Sequence, residues 1–224
     1  MRSRVGDDVW GLENDTGVSE DLLEADPRFK RWLHNFIANG NQPQKIRFAG
    51  VIQDQDRVYS ILIEVHFLNR GIKFVRSILI RGPAVVIVPI VFSDNLRDSK
   101  FLTVRQVRIS TGALTDEFPS GGCLGVSKVQ CALAELKEET GITIEPDRLQ
   151  VLREDIVVCE SAFDETVTWY AVKLNPEEIK LGQFGVKDRG ELTSTSLVDW
   201  KYLTALNSFH MHTARKLLEE HYDM

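Results

Sequence analysis

Apolar residues recur along the chain in two periods. Phe29, Trp32, Leu33 and Phe36 fall at i, i+3, i+4 and i+7, the stripe of an amphipathic helix. Asp26 stands where a cap belongs, Pro27 suits the first turn, and Asn39-Gly40-Asn41 ends the run. Two β-rich segments follow, Ser60–Leu68 and Lys73–Ile80, flanking the turn signal Asn69-Arg70-Gly71. Ala84–Phe92 is continuously apolar and reads as a buried strand. Phe101–Ile109 reads as a second strand, with Leu102, Val104, Gln106 and Arg108 on one face. A Gly-rich loop, a helix over Lys128–Thr140, strands over Leu149–Cys159 and Thr166–Leu174, and a helical end from about Asp199 to Tyr222 complete the pattern. Strands interleaved with a few helices predict a mixed α/β (α+β) layered fold.

Three parts are expected: an acidic flexible arm over 1–26, a helix with a β-rich segment over 27–80 that serves as a dimerisation element, and a larger domain over 81–224. The net charge of −6 is unevenly placed, with eight acidic and no basic residues from Asp7 to Asp26 and a nearly neutral remainder. That pattern lacks the basic footprint of a nucleic-acid binder. At 43% hydrophobic residues the chain can bury a real core. Its longest apolar run, Pro83–Phe92, falls short of the roughly 20 residues of a membrane span. The first residues lack an apolar signal segment, so a soluble, cytoplasmic protein is expected. Cys123, Cys131 and Cys159 make no CxxC pair and read as reduced thiols.

The chemistry concentrates in one helix. Ser127 and Gln130 form a capping-box pattern, and Gly141 stands where a left-handed C-terminal residue should. Val129, Ala132, Leu133 and Leu136 make its apolar face. At about 100° per residue, Glu135, Glu138 and Glu139 crowd within roughly 100° of one another. Like charges on adjacent turns repel, and two of these lie at the unfavourable end of the helix dipole. A solvated acidic face is one explanation. A hard divalent cation, Mg²⁺ or Mn²⁺, is the other, because it would remove the conflict.

These residues resemble a known family. Ala134-Glu135-Leu136-Lys137-Glu138-Glu139-Thr140-Gly141-Ile142 resembles the second half of the Nudix box, R-E-U-x-E-E-x-G-U with U aliphatic. Glu117-Phe118-Pro119-Ser120-Gly121 resembles the E-L-P-A-G lead-in of the ADP-ribose and ADP-sugar pyrophosphatase branch, and Gln106-Val107-Arg108 its Q-x-R strand. Phe29–Leu33, Arg81–Val85, Asp164-Glu165 and Asp188–Leu192 resemble stretches of plant-type ADP-sugar diphosphatases.

The resemblance implies a Nudix fold, a mixed sheet between helices, here preceded by the N-terminal helix and β-rich segment. It implies Mg²⁺-dependent hydrolysis of a nucleoside diphosphate sugar of the ADP-ribose or ADP-glucose type to AMP and a sugar phosphate. Glu135, Glu138, Glu139 and the Ser120 carbonyl would hold metal, and Arg105, Arg108 and Glu117 would meet substrate. The general base would be Glu165, or alternatively Glu138 or Glu139. A homodimer is also implied. The chain departs from the pattern in three ways: Ala134 replaces the box arginine, the glutamate expected six residues after the box glycine has no counterpart at Val126-Ser127, and the loop from Gly121 to Glu135 is one residue short. Other readings therefore stand beside the first: a degenerate module that binds a nucleotide or protein partner without turnover, or an enzyme acting on NADH, coenzyme A, a dinucleoside polyphosphate or capped RNA. Cys131, His210 with His212, and Trp169-Tyr170 are read as packing or incidental residues.

Overall fold

In the computed structural model, residues 2–5, 8–54, 57–108, 110–184, 193–205 and 208–222 are described. They divide into two units. One runs to Gly82 and includes Val157–Thr166; the other comprises Pro83–Ile156 and the chain from Val167 onward.

The first unit contains β1 (Arg2–Val5), β2 (Asp8–Asn14), α1 (Glu20–Ala25), α2 (Pro27–Ala38), β3 (Gln42–Asp54), β4 (Arg57–Asn69) and β5 (Ile72–Ile80). The strands form one sheet in the order β1-β2-β3-β4-β5, antiparallel except for the parallel pair β2/β3. Asp26 caps α2 as expected, its carboxylate accepting from the amides of Arg28 (2.8 Å) and Phe29 (3.3 Å). The expected hairpin is β4/β5. Arg70 and Gly71 both have positive φ (49° and 77°), the conformation that matches the twist of a two-residue hairpin. Alternation along β4 sends Ile61, Ile63 and Val65 inward, where they join Phe29, Leu33, Ile46 and Phe48 in the core.

Where a flexible arm was expected, the described residues 8–26 include β2 and α1. Leu12 and Leu23 are buried, which a solvated arm would not allow. The surrounding acids find bases on β3: Glu13 pairs with Lys45 (2.7 Å) and Asp15 with Arg47 (2.8 Å). Burial of a few leucines and local charge matching outweigh the net charge of the segment.

Three of the short family-like stretches meet in this unit. The buried Arg28 guanidinium donates to the carbonyls of Tyr59 (2.7 Å) and Val58 (2.9 Å) and pairs with Asp26 (2.6 Å). Asp164 accepts from the amides of Arg81 (2.6 Å) and Gly82 (3.0 Å) and lies 3.4 Å from Arg31. Gly82 has φ +86°, and a Cβ there would press on the Arg28 side chain at 2.8 Å. Asp188–Leu192 lie outside the described residues.

The second unit contains β6 (Pro83–Val91), β7 (Lys100–Arg108), β8 (Ala113–Glu117), β9 (Ser120–Gly122), α3 (Lys128–Thr140), β10 (Gln150–Val157), β11 (Thr166–Lys173), β12 (Gln183–Phe184), β13 (Thr193–Asp199), α4 (Trp200–Ala205) and α5 (Phe209–His221). Its sheet runs β10-β11-β6-β7-β13-β12, with β8 paired to β7 and β9 to β6. Helix α3 packs on one face, where Cys131, Ala132 and Leu136 meet Val85, Ile87, Leu102, Tyr170 and Val172. On the other face, Trp169 meets His210 of α5 edge-on (5.7 Å) and Phe101 meets Trp200 of α4 (5.9 Å). The central strand β6 is thus covered on both sides, which explains its unbroken apolar run. Trp169 and Tyr170 are both buried, as packing residues should be. The Gly-rich loop is more ordered than expected, because Ser120–Gly122 pair with Val86–Ala84. No helix among the described residues is long and apolar enough to cross a membrane.

Candidate active site

The candidate site is built where β8, β9 and α3 converge. Ser127 and Gln130 make the full capping box, and Gly141, at φ 70°, ends the helix in the left-handed conformation. Two of the glutamates lie in the last turn, against the dipole. Lys180 partly offsets this by donating to the Gly141 carbonyl at 2.6 Å.

The apolar face of α3 is held by the sheet, so its flanking acids are brought against β9. Glu139 accepts a hydrogen bond from the Ser120 amide at 2.9 Å. The Glu135 carboxylate lies directly over Gly121; a Cβ at Gly121 would overlap it. A side chain fits at this position only if the Glu135 carboxylate moves aside. Burial pushes the Glu139 carboxyl up to about 8, assisted by the neighbouring Glu135 and Glu117 and opposed by the Ser120 amide and Arg108. Glu138 is exposed, as is Ala134 at the box-arginine position. Among the described residues no three Cys, His, Asp or Glu side chains are already grouped to hold a metal ion.

Glu117 is only 8% exposed. Burial would raise its carboxyl, but Arg108 (Nε to Oε1, 2.9 Å) and the Thr115 hydroxyl (2.5 Å) outweigh it and hold the carboxyl below its ordinary value. Burial lowers the His210 imidazole, with Glu117 opposing and Arg108 reinforcing the shift. Nearby on β7, the Gln106 amide nitrogen is buried without a hydrogen-bond partner among the described residues.

Seven of the eight residues singled out from sequence lie in the second unit. Glu117, Ser120, Glu135, Glu139 and Arg108 are neighbours, and Glu138 sits on the same helix facing solvent. Arg105 is committed elsewhere. It forms a two-point pair with Asp116 (2.9 and 2.7 Å), which also accepts from Tyr202 of α4 (2.6 Å). Three positions from Arg108 on a strand, it points to the opposite face. Glu165 belongs to the first unit, its carboxylate 3.4 Å from Arg81 Nε. Burial raises the Glu165 carboxyl, with Arg81 opposing and Asp164 adding to the rise.

Gly121 and Thr115 were not singled out by sequence reasoning as site residues. A glycine pair beside a box-like helix was the available signal for Gly121. Thr115 has none, since it becomes relevant only through the β7/β8 pairing.

No protein-family profile and no curated protein matches this chain. Among solved structures, the chain is similar to a crystal structure described as an ADP compounds hydrolase. The TM-score is 0.59 at 20% identity, covering 82% of this chain and 94% of that chain. At that identity the likeness shows the fold alone: a mixed α+β architecture shared with that hydrolase.

Proposed function

We propose that the second unit hydrolyses the diphosphate bond of a nucleoside diphosphate sugar of the ADP-ribose or ADP-glucose type, giving AMP and a sugar phosphate. The observation that carries this reading is Glu139. Its carboxyl is held up to about 8 by burial beside Glu135 and Glu117, on the helix that resembles the Nudix half-box. Such a carboxylate ionises readily only when a cation arrives. The donor set is all oxygen and suits Mg²⁺ or Mn²⁺. Glu135, Glu139 and the Ser120 carbonyl would hold the ion, with Glu138 completing the set from the rim. When bound, a divalent cation neutralises diphosphate oxygens and favours attack by water.

The chain's own groups supply the rest. Arg108, aligned by Glu117, meets a phosphate of the substrate. Arg105 does so less readily, since Asp116 occupies its planar edge. Glu165, Glu138 or Glu139 takes the proton of the attacking water. The fold shared with an ADP compounds hydrolase is consistent with an ADP-sugar substrate. The exposed apolar positions Ile52, Leu62 and Val75 on the first unit support a homodimer through the five-stranded sheet. Light scattering showing only a species of 25.4 kDa would overturn it.

A second reading, a nucleotide-binding module without turnover, is favoured by Ala134 and by the absence of a ready three-carboxylate group among the described residues. One assay separates the two. The protein is incubated with ADP-ribose, ADP-glucose, NADH, coenzyme A and diadenosine polyphosphates, with Mg²⁺, Mn²⁺ or EDTA. Metal-dependent AMP release from an ADP-sugar, lost in Glu135→Gln with an unchanged melting curve, is the expected result. Binding without release would establish the module instead.

A further inference from the structure

Cys123 and Cys131 lie on either side of the link that joins β9 to α3. Both are buried, with 5% and 3% exposure, and both belong to the same core cluster. Cys131 is the neighbour that most lowers the Cys123 thiol, so the two side chains lie beside each other. The Cys131 sulfur also lies 3.8 Å from the Gly121 carbonyl, the residue on which the Glu135 carboxylate rests. Cys131 is one helical turn before Glu135 on α3. The link between them passes through Gly125, Val126 and Ser127, all exposed, so a local opening of this short segment uncovers the pair.

We propose that Cys123 and Cys131 are a redox modification site, forming a reversible disulfide that fastens the lead-in segment to the first turns of α3. The oxidant is a peroxide. The Cys123 sulfur attacks one peroxide oxygen and the O–O bond breaks, giving a sulfenic acid and water. The Cys131 thiol then attacks that sulfur, forming the S–S bond and expelling the second water. Two thiols and one hydrogen peroxide become one disulfide and two waters. The roles follow from this proximity: Cys131 holds the Cys123 thiol below its ordinary range, against the opposing effect of burial. Bond formation brings the sulfurs to about 2.05 Å, closer than any thiol hydrogen bond, and so draws α3 against Gly121 and disturbs Glu135.

The disulfide stands independently of the proposed hydrolysis; only its effect on turnover rests on that reading. The protein and a Cys159→Ser variant are treated with hydrogen peroxide, alkylated in denaturant and mapped without reduction. The expected result is a Cys123–Cys131 linked peptide, loss of two alkylatable thiols, and full recovery with dithiothreitol. Cys131→Ser should halt at a Cys123 sulfenic acid that dimedone traps. Both thiols remaining alkylatable, or Cys123 passing to sulfinic acid in the parent protein without any linked peptide, would overturn the proposal. If ADP-sugars are hydrolysed, oxidation should lower the rate several-fold and reversibly. Linkage without any hydrolysis at all would count against the function alone.

Discussion

Replacing Glu139 by Gln tests whether the site stores charge strain that a cation relieves. The amide keeps the shape of the side chain, and its oxygen can still accept from the Ser120 amide. In the folded protein the carboxyl is pushed from its ordinary 4.5 up to about 8. Below about pH 4.5 it is protonated whether the chain is folded or not, and it adds no penalty. Between 4.5 and about 8 the unfolded chain ionises while the folded carboxyl keeps its proton, so stability drains as pH rises. Above about 8 the loss is complete. The rise is worth at most about 5 kcal/mol, and relaxation of the site and entry of water reduce this to about 2–5 kcal/mol. In EDTA at pH 8, Glu139→Gln should therefore melt higher than the parent, by about 2–4 °C per kcal/mol, and the advantage should vanish near pH 4.5. Millimolar Mg²⁺ should shrink the difference, because binding stabilises the parent by about 2.7 kcal/mol at a hundredfold excess over its dissociation constant. Melting curves from pH 4.5 to 9 read all three effects. A variant less stable than the parent at pH 8 in EDTA, or a gap that does not change with pH, would refute the reasoning.

Gly121→Ala should leave the melting temperature nearly unchanged, because the Cβ displaces only the flexible end of Glu135, yet metal-dependent turnover should fall at least tenfold. Arg28→Ala should cost about 3–5 kcal/mol in urea unfolding followed in the first unit, since it strips the bonds to Tyr59 and Val58 and leaves Asp26 without its partner. Of Glu165→Gln and Glu138→Gln, the one that removes the general base should lower kcat by about 10²–10⁴-fold and flatten the acid limb of the pH–rate profile. Equal, modest losses in both would point to Glu139.

Local chemistry was legible along the chain. The caps at Asp26 and Ser127, the hairpin turn at Arg70-Gly71, the buried strand β6 and the left-handed Gly141 each follow from interactions within a few residues, and each is present. The crowding of Glu135, Glu138 and Glu139 also follows from helical spacing alone. What depends on long-range pairing did not show. Leu12 and Leu23, set among eight acids, look like part of a solvated arm until β3 supplies both a sheet edge and the bases Lys45 and Arg47. Arg105 and Arg108 look equivalent in sequence. Strand pairing with β8 gives the first to Asp116 and the second to Glu117, and only the second lies beside Glu139. Cys123 and Cys131 look like unrelated thiols until β9 folds back on β6 and α3 packs over both. Periodicity and caps are set by neighbours along the chain, whereas charge partners and thiol contacts are set by which distant strands lie side by side, and that choice belongs to the tertiary structure.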